Sequence, residues 1–329
     1  MISRSARQRI GALLREEARA KPGARRPGAG PGPQRANGAA PAKPRARKRA
    51  KAAAASPTRE IVPTGIEEIL PGGELTCREG AIFVHERLYT ELREKPGPLL
   101  RKYEGIVEGR RTLRRRARDL PEAVEEVVGS EDDPAALERL IFRTFGHRRM
   151  LLLDIETCGL SSAPVFLVGL CHVGERNLVL RQLFARNYSE ERALLAHVAA
   201  IARGYDFLVT FNGRTFDMPF LRDRAIHHRL RFEIGLPHLD LLLLARRRWR
   251  SLVPDCRLTT LEWHVLRRRR GGDIDGAAIP GIYHDYVKRG QPDRLLPVFH
   301  HNLLDLVAMA ELLPHALDLE AGPRRNGWS

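Results

Sequence analysis

The sequence is poor in cysteine and contains no long apolar run. Its four cysteines lie far apart, and no two of them form a CxxC pair: Cys77, Cys158, Cys171 and Cys256. This spacing argues against a disulfide scaffold or a structural zinc site and fits a reducing compartment. No stretch approaches the roughly 20 apolar residues that span a bilayer, and the arginine-rich N-terminus lacks the apolar core of a secretory signal. We therefore expect a cytoplasmic protein that does not bind membranes.

Acidic residues are scarce at the start of the chain. Residues 1–55 hold 15 lysines and arginines but only two acids, so the other 274 residues carry only +3 of the total net charge of +16. Large apolar side chains are almost absent after Leu14, and such a segment cannot bury enough surface to offset its ordering entropy. We predict a disordered basic tail over residues 1–57. The cluster Lys43–Lys51 would attract nucleic acid, although a merely solubilising tail has the same composition.

From Met150 onward, predicted strands alternate with predicted helices. The strands are Leu151–Glu156, a hairpin of Val165–Val173 and Leu178–Phe184, and Phe207–Phe211. The helices are Glu190–Ala202 with Ser189 as its cap, Phe216–His228, Leu239–Trp249 and His301–Leu313. This order predicts an α/β fold with a mixed sheet. We assign residues 58–148 to an N-terminal extension of mixed structure, 149–316 to the main domain and 317–329 to a C-terminal tail.

Two acids end the first of these strands. Asp154 and Glu156 are separated by one residue and follow three leucines. In a strand, residues i and i+2 point to the same face, so the two carboxylates stand side by side. Two such carboxylates repel each other, and a hard divalent cation with oxygen ligands relieves the repulsion. When the pair is taken alone, a strand end whose acids face water is the favoured explanation, because acids often follow apolar runs.

Two further stretches contain acids in comparable positions. Asp217 follows the predicted strand Phe207–Phe211 and lies near the carboxyl edge of the sheet, where ligands bind in open α/β proteins; it also suits the first turn of a helix. Asp305 interrupts the apolar positions of the last helix, where an acid is either paired or a ligand. His301 lies on the same side, one turn earlier. A third acid, Asp240, precedes a leucine run, and there we favour helix capping.

Taken together and in order, these motifs resemble the pattern of the DEDD exonucleases: Asp154-x-Glu156-Thr157, Asn212-x3-Phe216-Asp217 and His301-x3-Asp305. The closer similarity is to the YprB-type ribonuclease H-like family. It includes four stretches: His238-Leu239-Asp240-Leu241-Leu242, Cys256-x-Leu258-x2-Leu261-Glu262, Asp273-Ile274-x-Gly276 and His301-Asn302-x2-Asp305. The resemblance covers about Leu151 to Leu313. It implies a ribonuclease H-like mixed sheet of five strands flanked by helices.

The resemblance also implies a two-metal phosphodiesterase, most similar to a 3′–5′ exonuclease, that uses two Mg²⁺ or Mn²⁺ ions on DNA or RNA. The implied metal ligands are Asp154, Glu156, Asp217 and Asp305, and the implied general base is His301. The implied substrate-binding residues are Thr157, Leu160 and Asn212. One departure concerns the base: His301 takes the place of a tyrosine in one subgroup, whereas His300 fits the histidine spacing of the other. Helical geometry favours His301.

Two alternatives share the fold. A nucleic-acid-binding module without turnover would use the same cleft, but it would have no need to hold four carboxylates together. A structure-specific endonuclease would share the metal chemistry and would differ only in its products. The sequence distinguishes neither DNA from RNA nor exonuclease from endonuclease.

Overall fold

The computed structural model describes residues 65–317, except for 94–95, 100, 104–141, 143–148, 161, 176 and 233. The predicted basic tail, most of the N-terminal extension and nearly all of the predicted C-terminal tail therefore lie outside the described residues. Within them, no helix is long and apolar enough to cross a membrane.

The centre of the molecule is a mixed sheet. Its strands, in chain order, are β1 (Gly73–Cys77), β2 (Gly80–Leu88), β3 (Met150–Thr157), β4 (Val165–Val173), β5 (Leu178–Phe184), β6 (Phe207–Thr210) and β7 (His238–Asp240). They lie side by side in the order β1-β2-β5-β4-β3-β6-β7. β3 pairs antiparallel with β4 and parallel with β6, and β6 pairs parallel with β7. The α/β class and the mixed sheet are confirmed.

The expected number of five strands is wrong, because the described sheet has seven. Five of them, β3 to β7, lie within residues 149–316. The other two form a hairpin from the N-terminal extension, in which β2 pairs antiparallel with β5 along six residue pairs. This hairpin of the extension therefore continues the sheet.

The helices cover both faces of this sheet. They are α1 (Tyr89–Leu92), α2 (Glu191–Ala202), α3 (Asp217–His227), α4 (Leu241–Trp249), α5 (Leu258–His264), α6 (Ile279–Arg289) and α7 (Leu296–Ala316). The predicted cap of α2 is wrong: a short 3₁₀ turn, Tyr188–Glu190, precedes it, and the Asn187 side chain accepts from the Ser189 N–H. The last helix begins five residues before the predicted start, with Pro297 in its first turn, where a proline costs no hydrogen bond.

β3 is buried on both faces, as its leucine run predicts. Leu151, Leu153 and Ile155 pack with α2, whereas Met150 and Leu152 belong to the core shared with α7. The alternation continues to the strand end. Asp154 and Glu156 therefore lie on the face covered by α7, the helix that contains Asp305.

Candidate active site

The carboxylate cluster lies where β3 ends, between α3 and α7. Asp154 and Glu156 come from β3, Asp217 is the first residue of α3, and Asp305 lies in the middle of α7. A register shift in the β3–β4 pairing falls between Glu156 and Thr157, and such irregularities are common beside active sites. The sequence thus brings acids from three elements to one end of the sheet.

The four acids interact electrostatically. Burial, followed by the charges of Asp305, Glu156 and Asp217, raises the pKa of Asp154 well above its ordinary value. Burial and the neighbouring acids likewise raise the pKa of Glu156. Such shifts arise when carboxylates share a site away from water. Asp154 and Glu156 are half-buried, so the acids of β3 are not a fully solvated strand end.

Asp217 is the first residue of α3 and is not its N-cap, which is Phe216. Asp217 is 4% exposed, and burial raises its pKa to about 7, against hydrogen bonds from its own backbone and that of Ile155. For Asp305, burial raises the pKa, and Arg270 and His301 oppose the shift. Asp240, by contrast, caps α4 as expected, since its Oδ1 accepts from the Leu242 N–H at 3.0 Å.

A buried amide supports Asp154 from α7. Asn302 is fully buried, and its Nδ2 donates to Asp154 Oδ2 at 2.8 Å. Its Oδ1 accepts from Gln182 Nε2 at 2.9 Å, which fixes the orientation of the amide. Gly169 of β4 makes room for this group, because a Cβ there would lie 2.3 Å from Asn302 Oδ1. The sequence motif contains Asn302, but this role follows only from the fold.

The two histidines of α7 differ in their surroundings. His301 Nδ1 lies 2.7 Å from Asp273 Oδ1, and its Nε2 lies 3.6 Å from Asp305 Oδ2. His300 is exposed, and its Nε2 lies 3.4 Å from the Gly271 carbonyl oxygen. Both residues belong to a regular helix, because α7 starts at Leu296. No irregular turn brings His300 round to Asp305, so His301 is the histidine beside the cluster.

One arginine, Arg270, joins the cluster to its surroundings. Its side chain is 7% exposed and forms ion pairs with Glu262, Asp273 and Asp305, the Asp273 contact at 3.0 Å. These acids lie up to 35 positions away in sequence. The charged groups around the site thus form a connected network. The sequence pattern of four consecutive arginines, Arg267–Arg270, did not predict that one of them would be buried among acids.

The predicted substrate-binding residues surround the cluster unevenly. Thr157 is buried and donates to the Gly159 carbonyl at 2.6 Å, whereas Leu160 is 91% exposed at the tip of the same loop. Asn212 is exposed with a φ of 66°, a left-handed conformation that asparagine tolerates. Its Oδ1 accepts from Thr215 Oγ1 at 2.7 Å. The structure therefore gives Thr157 and Asn212 a role in shaping loops.

A buried ion pair anchors the loop after β3. Glu191 of α2 accepts from Arg224 of α3 at 2.5 and 2.8 Å, from the Val165 N–H at 2.8 Å, and contacts His228 Nε2 at 2.7 Å. Arg224 also donates to the Ser162 carbonyl at 2.8 Å. This cluster ties the loop that contains Leu160 to the helix that begins with Asp217.

The oxygen donors fit a divalent cation in chemical type. They are carboxylates held partly or wholly away from water with raised pKa values, and hard cations prefer such ligands. As the described side chains stand, however, no three histidine, cysteine or acidic residues are placed to hold a metal ion together. The ion pair between Arg270 and Asp305 engages one of the candidate ligands.

Comparison with known proteins identifies the superfamily of this fold. A family model described as RNase_H superfamily matches residues 151–317. The chain belongs to this superfamily. Its fold is RNase H-like. The chain is also similar to the uncharacterized protein YprB of Bacillus subtilis (strain 168), at 30% identity over 197 residues, an alignment that covers 58% of this chain and 48% of YprB. The matched region thus spans about half of that relative.

Among solved structures, the family B DNA polymerase of the archaeon Pyrobaculum calidifontis is similar at 16% identity and a TM-score of 0.41. The alignment covers 51% of this chain and 25% of the polymerase.

Proposed function

We propose that this protein is a metal-dependent nuclease that removes nucleotides from the 3′ end of DNA or RNA. The observation that carries the proposal is the meeting of Asp154, Glu156, Asp217 and Asp305 at the end of β3, each with a raised pKa. Perturbed carboxylates that converge from separate elements are typical of functional sites. Acids that repel one another while partly removed from water cost the fold stability, which favours a functional reason for their presence.

The four carboxylates would hold the metal ions, and Asn302 would orient one of the carboxylates. Two divalent cations, Mg²⁺ or Mn²⁺, held by these four carboxylates would activate the attacking water and offset charge on the phosphoryl oxygens. Because Asp305 pairs with Arg270, a cation at Asp305 would share or replace that contact. Asn302 would keep Asp154 in one orientation, as hydrogen-bond partners of metal ligands do.

The proton movements involve His301. Its Nε2 would accept a proton from the attacking water, whose oxygen forms the new bond to phosphorus. The bond between phosphorus and the 3′ oxygen of the penultimate nucleotide breaks, and that oxygen takes a proton from solvent. The products are a nucleoside 5′-monophosphate and a strand shorter by one. The exposed Leu160 would contact the terminal base.

The test uses 5′-labelled oligonucleotides of single- and double-stranded DNA and RNA, with Mg²⁺, Mn²⁺ or chelator. We expect metal-dependent shortening from the 3′ end, which a blocked 3′ terminus prevents. Cleavage of circular single strands would instead show an endonuclease. Absence of metal-dependent cleavage on every substrate, together with no divalent-ion binding by calorimetry, would contradict the proposal and favour a binding module.

A second prediction concerns the buried amide. Asn302→Ala should lower kcat by about 10- to 100-fold, because loss of a hydrogen-bond partner of a metal ligand costs about that much. Gly169→Ala should act in the same direction, since its methyl group would displace the Asn302 side chain. Initial rates on the best substrate measure both effects.

The matched control is Gly281→Ala, because a Cβ at Gly281 meets no atom within 4 Å. Its rate should equal that of the wild type. Unchanged activity in both Asn302→Ala and Gly169→Ala would show that the amide does not support catalysis.

A further inference from the structure

The loop between α5 and α6 contains an acid with no role in the four-carboxylate scheme. Asp273 lies outside the four implied ligands, and its side chain is only 16% exposed. Its Oδ1 accepts from the Ile274 N–H at 2.9 Å and lies 2.7 Å from His301 Nδ1. Its Oδ2 accepts from Arg270 Nη1 at 3.0 Å. Both oxygens are thus engaged by groups at the edge of the site.

These contacts favour the carboxylate form of Asp273. Burial alone would raise its pKa, but the hydrogen bonds and charges of Arg270 and His301 hold that pKa below its ordinary value of 3.8. A carboxylate accepts hydrogen bonds and cannot donate them. The hydrogen on the facing ring nitrogen of His301 therefore lies on Nδ1.

Fixing the hydrogen on Nδ1 determines the state of the other nitrogen. When the imidazole is neutral, as a general base must be, one nitrogen is a donor and the other is an acceptor, so a hydrogen on Nδ1 leaves the lone pair on Nε2. Nε2 lies 3.6 Å from Asp305 Oδ2, on the side of the carboxylate cluster. Because this distance is longer than a direct hydrogen bond, a water molecule could bridge Nε2 and the Asp305 carboxylate.

Asp273 is itself held in place. Arg270, whose remaining nitrogens bond Glu262 and Asp305, has only 7% of its side chain exposed. Glu262 is 1% exposed and also receives Arg268. Because Arg270 is held by the buried Glu262 as well as by Asp305, Asp273 cannot swing away without breaking its charge-assisted hydrogen bonds to this network.

We infer that Asp273 is a positioning residue, which orients His301 and fixes its hydrogen on Nδ1 so that Nε2 faces the attacking water. The inference rests on the proposed nuclease function for its catalytic consequence. Its structural content, the dyad of Asp273 and His301, does not depend on that function. An aspartate that orients a histidine base in this way is a recurring solution in hydrolases.

A double-mutant cycle tests the catalytic consequence. Asp273→Asn should lower kcat about 10- to 100-fold, which is part of the roughly 10²- to 10⁴-fold that a positioned general base contributes. It should leave KM within about twofold of the wild type. In a His301→Gln background the same change should have no further effect, because Asp273 acts through His301. Multiplicative losses in the double variant, an effect on KM alone, or an unchanged kcat would overturn the inference.

The matched control is Asp275→Asn, two residues along the same loop. Asp275 is exposed and caps the following 3₁₀ turn through the Ala277 N–H at 3.0 Å, a contact that asparagine also makes. The kcat of the Asp275→Asn variant should equal that of the wild type. A loss of kcat in Asp273→Asn but not in Asp275→Asn would then come from the contact with His301 and not from a general loosening of the loop.

A readout without turnover separates this inference from the proposed function. Nitrogen-15 NMR of labelled histidine in chelator should show His301 with its hydrogen on Nδ1 in the wild type, and a shift toward the Nε2–H form in Asp273→Ala. The same tautomer in both proteins would refute the dyad. If the wild type cleaved no substrate but showed this change, the dyad would stand and only the nuclease proposal would fail.

Discussion

Asp154→Asn is expected to abolish nuclease activity and, at the same time, to make the metal-free protein more stable. The carboxylate is a central candidate ligand, and a loss of several kcal/mol in transition-state stabilisation corresponds to at least about 10³-fold in kcat. The amide replacement keeps the shape and can still accept from Asn302 Nδ2, which now lies 2.8 Å from Asp154 Oδ2. It removes one charge from a set of mutually repelling acids.

The gain in stability follows from the raised pKa values. A carboxyl whose pKa is higher in the folded state destabilises the fold as the pH rises from its ordinary value to the folded value. For Asp217 this window extends from 3.8 to about 7, and the pKa of Asp154 is raised in the same direction. At neutral pH in chelator, we expect the free energy of unfolding of Asp154→Asn to exceed that of the wild type by about 1 kcal/mol or more.

Denaturant unfolding in chelator, beside the oligonucleotide assay, measures both effects. Asp285→Asn is the matched control, since Asp285 is a surface acid of α6 paired with Arg294 at 3.1 Å; it should change neither quantity appreciably. Full nuclease activity in Asp154→Asn would show that Asp154 is not part of the catalytic site. An inactive variant with lowered stability would show that the four acids do not repel one another in the folded protein.

The central strands and the acids could be predicted because local periodicity encodes them. An apolar run identifies β3 as a strand buried on both faces, and its period of two puts Asp154 and Glu156 on one face. Helical spacing likewise puts His301 and Asp305 on one side of α7. These signals need no knowledge of what packs against the element.

The features that were missed depend on contacts between distant segments or on weak patterns. β1 is largely exposed, with only Leu75 and Cys77 as apolar residues on one face, and β7 has only three residues. Arg270 reaches Asp305 across 35 positions, and Arg224 reaches Glu191 across 33. An arginine in a polar run gives no sign of being buried, because only the finished fold supplies the acids that pair with it.

Glu191→Gln is expected to cause the largest loss of stability. Glu191 and Arg224 have side chains 2% and 9% exposed, and removing one partner of a buried ion pair costs about 3–5 kcal/mol because the other charge remains uncompensated. For a domain of this size, the melting temperature should fall by on the order of 10 °C. Replacing both partners, as in Glu191→Leu with Arg224→Met, should be less damaging than either single change, although the Val165 N–H and Ser162 carbonyl lose their partners.

Acid titration of stability provides a second, independent signature of the same pair. Burial alone would raise the pKa of Glu191, but hydrogen bonds from Arg224, His228 and Val165 hold it below its ordinary value of 4.5. Its contribution is therefore complete above pH 4.5 and is lost as the pH falls through the lower folded value. Glu191→Gln should lack that part of the acid sensitivity. The control, Glu86→Gln, breaks an exposed pair with Arg181 and should cost less than about 1 kcal/mol; equal effects of the two substitutions would mean that the pair does not anchor the loop.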